Sequence, residues 1–203
     1  MAENKISSVC VFCGSSLGSS EAYKQAALNL ANCLAKNNCD LVYGGGNVGL
    51  MGVLAQEMDR LDRKILGIIP ESIKKFEAVE ASGVWGEERV VQSMHERKKM
   101  MAENSDAFIA LPGGFGTFEE LFEIVTWQQL GFHTKPIGVL NVNGYYDHLQ
   151  KMVQHSVSEG FISEKKHGII IFESDPERLL QRMKEYTVDV GSTKAALMSS
   201  SQT

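Results

Sequence analysis

The stretch LPGGFGTFEE, residues 111–120, joins an apolar run to a helical pattern. The preceding run, Ala107–Leu111, predicts a buried strand. The helical pattern continues to Trp127, with three apolar residues predicted to face inward, Leu121, Phe122 and Val125. A strand that passes through several glycines into a helix brings bare backbone N–H groups to the helix N-terminus. Those donors, together with the helix dipole, favour an anion such as phosphate. The stretch therefore predicts a strand–loop–helix unit with an anion site between its two elements.

Thr117 and Glu120 allow a second interpretation of the same stretch. The pattern Thr117-x-x-Glu120 is a capping box, in which both side chains satisfy backbone N–H groups of the helix itself. The stretch alone leaves the structural and the ligand-binding interpretations open. A second glycine cluster, at residues 44–52, favours ligand binding.

The rest of the chain alternates between strand and helix patterns. Apolar residues recur at helical spacing between the strands, as in the segment that begins after Ser20. Further strands are predicted at Ser8–Cys13, Asp40–Tyr43, Lys64–Ile69, Arg89–Val91, Pro136–Asn141 and Gly168–Phe172. Strands separated by helices throughout predict a doubly wound, Rossmann-like α/β fold, a parallel sheet with helices on both faces. In such sheets ligands bind at the carboxyl ends of the strands. Three small-residue loops are predicted to converge there, after the first strand, after the second and after the strand Ala107–Leu111.

Two segments lack a clear helix or strand pattern. Residues 71–88 have mixed polarity and are predicted to form a long loop, with room for a short helix. Beyond residue 188 the chain is polar and rich in serine, which predicts a disordered tail over residues 189–203. Because no linker or repeat is visible before that tail, residues 1–188 are predicted to form a single domain.

Length, composition and charge limit the classes of function. A chain of 203 residues, of which 43% are hydrophobic, is long enough for one domain with a sizeable core. The net charge of −5 disfavours non-specific nucleic-acid binding. No apolar run approaches the length of a membrane span, and the first residues lack the apolar segment of a signal peptide. We therefore expect a cytoplasmic protein with no nucleic-acid or membrane partner.

The cysteines and histidines do not form a recognisable metal site. Cys10-x-x-Cys13 matches a redox and metal-binding motif, but it lies largely inside a predicted strand, and no second pair has zinc-finger spacing. Buried free thiols are the favoured interpretation. The five histidines are scattered, with no pair at metal-ligand spacing. We expect neither a metal nor a cofactor.

The second glycine cluster follows the second predicted strand. Gly44-x-Gly46-x-x-Gly49 formally matches the dinucleotide fingerprint, and Glu71 stands where a ribose-binding acid would be expected. However, the motif follows the second strand rather than the first, and NAD would leave the loop at Gly113 unexplained. One mononucleotide held between the two loops is the simpler explanation. The remaining alternative is that the glycines only permit tight turns.

A third candidate residue lies on a helix that is predicted to begin at a second capping box, Ser93-x-x-Glu96. Met94, Arg97 and Met101 share one helical stripe, which would turn Arg97 inward between two apolar side chains. A guanidinium on an inward face needs an anionic partner, and Glu120 or a bound phosphate would serve. The alternative is that Arg97 is solvated, as the two lysines that follow it would be.

Together these motifs resemble the LONELY GUY (LOG) family. Pro112–Glu120 matches its P-G-G-x-G-T-x-x-E signature, and Met94–Lys98 matches its companion M-H-x-R-K. Similar segments occur at Val11–Ser16, Tyr43–Gly46, Gly49–Gly52 and Trp127–Gly131. The resemblance runs from about residue 9 to about residue 180. Many members carry the older label lysine decarboxylase-like, but nothing in the sequence suggests a pyridoxal phosphate site.

The resemblance implies a cytokinin riboside 5′-monophosphate phosphoribohydrolase. Such enzymes hydrolyse the N-glycosidic bond of an N6-substituted adenosine 5′-monophosphate, releasing the free base and ribose 5-phosphate. The family's catalytic pair falls on Arg97 and Glu120. Substrate-binding residues are expected at Ser15, Gly45, Gly46, Met94, Arg97, Lys98, Gly113, Gly114, Gly116, Thr117 and Glu120.

The resemblance also implies a homodimer or higher homo-oligomer, with the site close to the subunit interface. We expect the segment Met94–Met101 near that contact, because a lone domain would leave Met100 and Met101 partly exposed. Residues 1–188 would then be the nucleotide-binding catalytic domain.

Two further functions stay open. A general purine or pyrimidine 5′-monophosphate nucleosidase would use the same residues with a less selective base pocket. A nucleotide-binding or carrier protein without turnover belongs to another class, and the presence of Arg97 and Glu120 argues against it.

Overall fold

The computed structural model describes residues 4–77 and 85–188 of the chain. In this part, one sheet contains the strands β1 (Ser8–Phe12), β2 (Asp40–Tyr43), β3 (Ile65–Pro70), β4 (Glu87–Val91), β5 (Ala107–Ala110), β6 (Ile137–Leu140) and β7 (Ile170–Glu173). The helices are α1 (Glu21–Lys36), α2 (Gly49–Arg60), α3 (Glu71–Glu77), α4 (Met94–Glu103), α5 (Phe115–Leu130), α6 (Asp147–Ser158) and α7 (Pro176–Glu185).

All neighbouring strands are parallel, in the order β4-β3-β2-β1-β5-β6-β7. The chain builds one half of the sheet outward from β1 to β4 and then returns to build the other half from β5 to β7. Such a reversal leaves a crevice at the carboxyl ends of the two central strands, here β1 and β5. The doubly wound, Rossmann-like α/β fold predicted from the sequence is confirmed.

Different helices cover the two faces of the sheet. Val9 and Val11 pack with residues of α1, α2 and α7, whereas Cys10 and Phe12 pack with residues of α4, α5 and α6. This alternation follows from the period of two in a strand. Cys10 and Cys13 therefore belong to opposite faces, and both are free and buried. Burial raises the pKa of both thiols, and the prediction of buried free thiols is confirmed.

Helix α5 differs from its predicted start and from its predicted inward face. It begins at Phe115 with Gly114 as its N-cap, so Thr117 lies inside the first turn and the predicted capping box at Thr117 and Glu120 is wrong. Phe122, predicted to face inward, is 45% exposed. The buried positions are 117, 120, 121, 124 and 128, which recur at helical spacing.

Helix α4 begins at its predicted capping box, with a small shift. Ser93 Oγ accepts a hydrogen bond from the N–H of Glu96 at 3.1 Å, while Glu96 accepts from the N–H of Gln92 rather than from that of Ser93. Met101, expected to be partly exposed, is 1% exposed, because it belongs to the buried cluster on the face of the sheet that α4, α5 and α6 cover. At the start of α4, Met94 is 38% exposed.

The predicted long loop at residues 71–88 contains more regular structure than its composition indicates. Helix α3 occupies its first part, and β4 pairs with β3 as the edge strand of the sheet. Strand β3 extends one residue beyond its predicted end at Ile69, and its last residue, Pro70, is paired with Val91. Residues 78–84 and the predicted tail at 189–203 lie outside the described residues. None of the helices in the described ranges combines the length and the hydropathy that crossing a membrane requires.

Candidate active site

A cavity of about 250 Å³ lies at the carboxyl ends of β1, β2 and β5, where the strand order reverses. The loops after these three strands contribute to its wall. Gly14 and Ser15 come from the loop after β1, Gly44 from the loop after β2, and Gly114 and Gly116 from the segment after β5. The convergence of three small-residue loops at this edge, predicted from the sequence, is confirmed.

Backbone contacts fix these loops relative to one another. Gly14 donates its N–H to the carbonyl of Pro112 at 3.1 Å, and its own carbonyl accepts from the N–H of Leu50 at 3.0 Å. Gly49 approaches so closely that a Cβ there would lie 2.2 Å from the carbonyl carbon of Ser15. Its φ of 60° is a second reason for glycine at this position.

The start of α5 presents backbone N–H groups to the cavity. Gly114, the N-cap residue, has no side chain and therefore makes no capping hydrogen bond to the N–H groups of the first turn. Because residues 114–117 all line the cavity, the N–H groups of the first helical turn lie at its wall. Gly113 packs against Thr117, and a Cβ at residue 113 would lie 2.1 Å from the threonine Oγ1. A helix end of this kind suits a phosphate group.

Arg97 reaches the cavity from α4. Its side chain is 12% exposed, so the inward orientation is confirmed and the solvated alternative is wrong. The guanidinium donates to the carbonyl of Ile68 through Nε at 3.2 Å and to the carbonyl of Gly44 through Nη2 at 3.4 Å. A Cβ at Gly44 would lie 1.9 Å from Nη2, so glycine at this position leaves the space that the guanidinium occupies.

Glu120 is the anionic partner of Arg97. Its Oε1 lies 3.4 Å from Arg97 Nη2, and its side chain is 10% exposed. Burial raises the pKa of Glu120, the charge of Arg97 opposes that rise, and the charge of Glu119 adds to it. A buried carboxylate in a cavity, with its pKa raised and a single arginine beside it, is suited to proton transfer or to stabilising a cation.

Lys98, expected to be solvated beside Arg97, is buried instead. Its ammonium donates hydrogen bonds to Glu119 and to Glu123, the latter at 3.0 Å. Burial disfavours the charged form, but the two carboxylates outweigh this effect and raise the pKa of Lys98. Two successive residues of α4 therefore pair with two successive residues of α5, Arg97 with Glu120 and Lys98 with Glu119.

The structure brings together about half of the predicted substrate-binding residues. Those that line the cavity are Ser15, Arg97, Gly114, Gly116, Thr117 and Glu120. The others lie outside its described lining, namely Gly45, Gly46, Met94, Lys98 and Gly113. Met94 still contacts the site indirectly, because its Sδ lies 3.8 Å from Arg97 Nη1.

Sequence reasoning missed several residues of the cavity. Gly14 and Gly44 belong to motifs that were recognised, so their position beside a predicted strand end was an available signal. Met51 and Ile73 carry no such signal, because an apolar side chain at a ligand site has the same pattern as one in the core. Among the described residues, no group of three or more His, Cys, Asp or Glu side chains could hold a metal ion.

Solved structures with the same fold include proteins of low sequence identity. The molybdenum cofactor carrier protein from Chlamydomonas reinhardtii aligns with a TM-score of 0.64 and 16% identity, over 89% of this chain and 97% of that one. The molybdenum cofactor binding protein from Rippkaea orientalis aligns with a TM-score of 0.62 and 19% identity over the same shares. At these identities the likeness shows the fold alone.

Sequence comparison is more specific. The family described as "possible lysine decarboxylase" matches residues 51–183. Cytokinin riboside 5′-monophosphate phosphoribohydrolase LOG2 of Arabidopsis thaliana is 51% identical over 178 residues, which cover 88% of this chain and 83% of that protein. A probable enzyme of the same name from Oryza sativa subsp. japonica, LOGL2, is 45% identical over 91% of this chain and 75% of its own length. Because the family model matches more than half of the chain, and LOG2 is 51% identical over 88% of it, the chain belongs to the LOG family.

Proposed function

We propose that this chain hydrolyses the N-glycosidic bond of N6-substituted adenosine 5′-monophosphates and releases the free base and ribose 5-phosphate. The observation that carries the proposal is the buried pair of Arg97 and Glu120 in a cavity walled by glycine loops. The names of the relatives, cytokinin riboside 5′-monophosphate phosphoribohydrolases, support the substrate class.

The roles of the two charged residues follow from the chemistry of glycosidic cleavage. The reaction passes through a cationic, oxocarbenium-like sugar. The carboxylate of Glu120 would stabilise that charge and orient or deprotonate the attacking water. Arg97 would position this carboxylate and favour its ionised form, because its positive charge opposes the rise in the pKa of Glu120.

The phosphate would be held by backbone rather than by side-chain charge. The N–H groups at the start of α5, with the hydroxyl of Thr117, face the cavity and favour an anion. Lys98 is directed to Glu119 and Glu123, so its proposed role changes from contact with the substrate to fixing α4 against α5. No step of this mechanism requires a metal or a redox cofactor.

The proposal includes a homodimer or larger homo-oligomer as the working form. Its support is an apolar surface on the outward side of α5, where Phe115 is 91% exposed and Phe122 is 45% exposed. This surface adjoins α4, which carries Arg97, so a partner seated there would lie close to the cavity. The cytoplasmic location expected from the sequence stays a prediction.

One assay tests the function and separates it from its alternatives. The protein is incubated with isopentenyladenosine monophosphate, with AMP and with isopentenyladenosine, and free base is measured by chromatography. We expect base from the isopentenyl nucleotide, little from AMP, and roughly hundredfold slower release from the nucleoside, because binding energy from the remote phosphate is expressed in the rate.

Each of the other outcomes would support a different function. Equal release from AMP and from the isopentenyl nucleotide would indicate the broader nucleosidase. Binding of the nucleotides in calorimetry without release of any base would indicate a carrier. Equal cleavage of nucleoside and nucleotide would contradict the phosphate assignment of the glycine loops.

A further inference from the structure

The loop after β6, residues 141–146, lies beside the loop after β5, because the two strands are neighbours in the sheet. Asn141 shapes this turn: its Oδ1 accepts from the N–H of Tyr146 at 2.7 Å, and its Nδ2 donates to Asp147 at 2.7 Å. Gly144 has a φ of 70°, and a Cβ there would lie 2.7 Å from Asp147 Oδ2. The turn presents two adjacent tyrosines to the glycine loop after β5.

Both tyrosine hydroxyls donate hydrogen bonds to carbonyl groups of the loop after β5. Tyr146, which is buried, reaches the carbonyl of Leu111 at 2.7 Å, and Tyr145 reaches the carbonyl of Gly113 at 2.5 Å. The ring of Phe118 stacks on the ring of Tyr145, with the centroids 6.5 Å apart. The ring of Tyr146 contacts the Tyr145 ring edge-on, with the centroids 5.0 Å apart. Packing therefore fixes the Tyr145 ring outside the described lining of the cavity.

These hydrogen bonds set the direction of the peptide groups in the glycine loop. A trans peptide carries its C=O and its N–H on opposite sides. Because the carbonyl of Gly113 points to Tyr145, the N–H of Gly114 points away from Tyr145, and Gly114 itself lines the cavity. The preceding peptide is anchored similarly, since the carbonyl of Pro112 accepts from Gly14 at 3.1 Å. Two successive glycines have wide backbone freedom, so external hydrogen bonds are needed to hold this orientation.

We propose that Tyr145 is a positioning residue for the 5′-phosphate, and this inference rests on the proposed function. Its hydroxyl holds the peptide between Gly113 and Gly114 so that the Gly114 N–H is aimed at the anion before the anion binds. A preorganised donor needs no reorientation on binding. Without the hydroxyl, the peptide rotates among several orientations, and the phosphate loses part of its binding energy. Binding of the base and the ribose should be unaffected, because Tyr145 lies outside the described lining of the cavity.

Tyr146 makes a similar bond with a different consequence. The carbonyl that it holds, that of Leu111, is followed by Pro112, which has no N–H to direct. The Tyr146 hydroxyl therefore supports the end of the strand, whereas the Tyr145 hydroxyl acts on a donor. Of the two adjacent tyrosines, only Tyr145 is assigned to phosphate recognition.

The variant Tyr145→Phe removes the hydroxyl and retains the ring. Tyr186→Phe is the matched control, because the Tyr186 hydroxyl donates to Gln128 at 3.2 Å, outside the described lining of the cavity. Binding of AMP and of adenosine is measured by calorimetry, and kcat and KM are measured with isopentenyladenosine monophosphate and isopentenyladenosine. Thermal unfolding of each variant shows that the fold is retained.

We expect Tyr145→Phe to bind AMP about tenfold more weakly, near the upper end of what one hydrogen bond contributes. The ratio kcat/KM for the nucleotide should fall by a similar factor, because the phosphate contact contributes to binding of the transition state. Adenosine binding and nucleoside cleavage should match those of the wild type. Tyr186→Phe should match the wild type with every ligand.

Several results would overturn the assignment. The assignment would be contradicted if Tyr145→Phe bound AMP with wild-type affinity. It would also be contradicted if Tyr145→Phe lost equal affinity for AMP and for adenosine, or if Tyr186→Phe lost as much affinity for AMP. Binding is measured apart from turnover, so the proposed function and this inference fail separately. A wild-type protein that binds AMP but releases no base contradicts the function, while the comparison of AMP with adenosine still decides the role of Tyr145.

Discussion

The guanidinium of Arg97 lies 3.4 Å from the carboxylate of Glu120, with both side chains nearly buried. A buried carboxylate needs a cationic partner or hydrogen bonds to remain ionised. Arg97 is itself held in place by two backbone carbonyls, one after β2 and one in β3. The ionisation of Glu120 therefore depends on a contact between two helices and on the space left at Gly44.

The first prediction concerns the carboxylate. Glu120→Gln should lower kcat by at least about a hundredfold, the usual scale for a general acid–base group. The amide has almost the same shape, so the fold and the affinity for AMP should be retained in thermal unfolding and calorimetry. Glu103→Gln, an exposed change on α4, is the control and should leave kcat unchanged. Near-wild-type turnover of Glu120→Gln would leave this residue with a structural role only.

The second prediction concerns the pH dependence of kcat. Burial raises the pKa of Glu120, and activity that needs its ionised form is lost as the pH falls through that raised pKa. The charge of Glu119 adds to the rise, while that of its partner Lys98 opposes it. Glu119→Gln removes a negative charge and leaves the positive one, so the pKa of Glu120 should fall and the acid limb should move to lower pH.

The measurement is a pH profile of kcat for the wild type, Glu119→Gln and the control Glu103→Gln. Only the Glu119 variant should shift the acid limb. A shift to higher pH, or an equal shift in the control, would contradict the assignment of that limb to Glu120. A large loss of kcat at the optimum in Glu119→Gln would instead give Glu119 a part in the reaction.

The sheet could be predicted from the sequence because hydrophobic residues recur with different periods in strands and in helices. The apolar run at residues 107–111 is buried, and glycines follow it at its carboxyl end, where the cavity lies. Strand β4 was harder to predict in full, since its sequence EERVV is polar and mostly exposed at an edge. These residues have the composition of a loop, and they form a strand because they pair with β3.

The charged residues of α4 show what sequence reasoning could not predict. Residues 95–99, HERKK, are polar at every position, and the stripe of Met94 and Met101 identifies Arg97 as inward but gives no sign that Lys98 is buried as well. Lys98 is buried only because Glu119 and Glu123 face it from α5, a contact between separate elements. The contact of Tyr145 with Gly113 is likewise set by the neighbouring positions of β5 and β6 in the sheet.

The third prediction uses the space at Gly44. In Gly44→Ala, the new methyl group would meet the end of the Arg97 side chain, which can move at small cost to the fold. The guanidinium would then lose its contact with Glu120, and kcat should fall by about tenfold or more, because misplacement of a catalytic group is expensive. The control, Gly168→Ala, adds a methyl group with no atom within 4 Å. Full activity of Gly44→Ala would show that the position of Arg97 is not critical.

The fourth prediction concerns the buried lysine. Lys98→Met should lower the free energy of unfolding by about 2 kcal/mol. This value lies between the contributions of exposed and of buried ion pairs, because Lys98 is 9% exposed whereas Glu119 is 52% exposed. Lys99→Met is the control, since Lys99 is 70% exposed and its pair with Glu103 should contribute less than about 0.5 kcal/mol. Urea unfolding measures both. Equal stability of the two variants would contradict a role for Lys98 in holding α4 against α5.

The last prediction tests the assembly. Phe122 lies on the outward side of α5 and is 45% exposed, beside the helix that carries Arg97. In Phe122→Glu, a charge would replace this apolar contact, and the dissociation constant of the oligomer should rise by at least about thirtyfold, the scale of a central interface residue. Phe161→Glu is the matched control, because Phe161 is 88% exposed and lies in the segment after α6 rather than on α5.

Light scattering and specific activity are followed together across a dilution series of the wild type and both variants. Because the cavity adjoins the proposed contact, specific activity should fall as Phe122→Glu dissociates, while Phe161→Glu should follow the wild type. An unchanged assembly in Phe122→Glu would place the contact elsewhere on the molecule. A monomer with full specific activity at the lowest concentration would separate catalysis from assembly, and the site would then be complete within one chain.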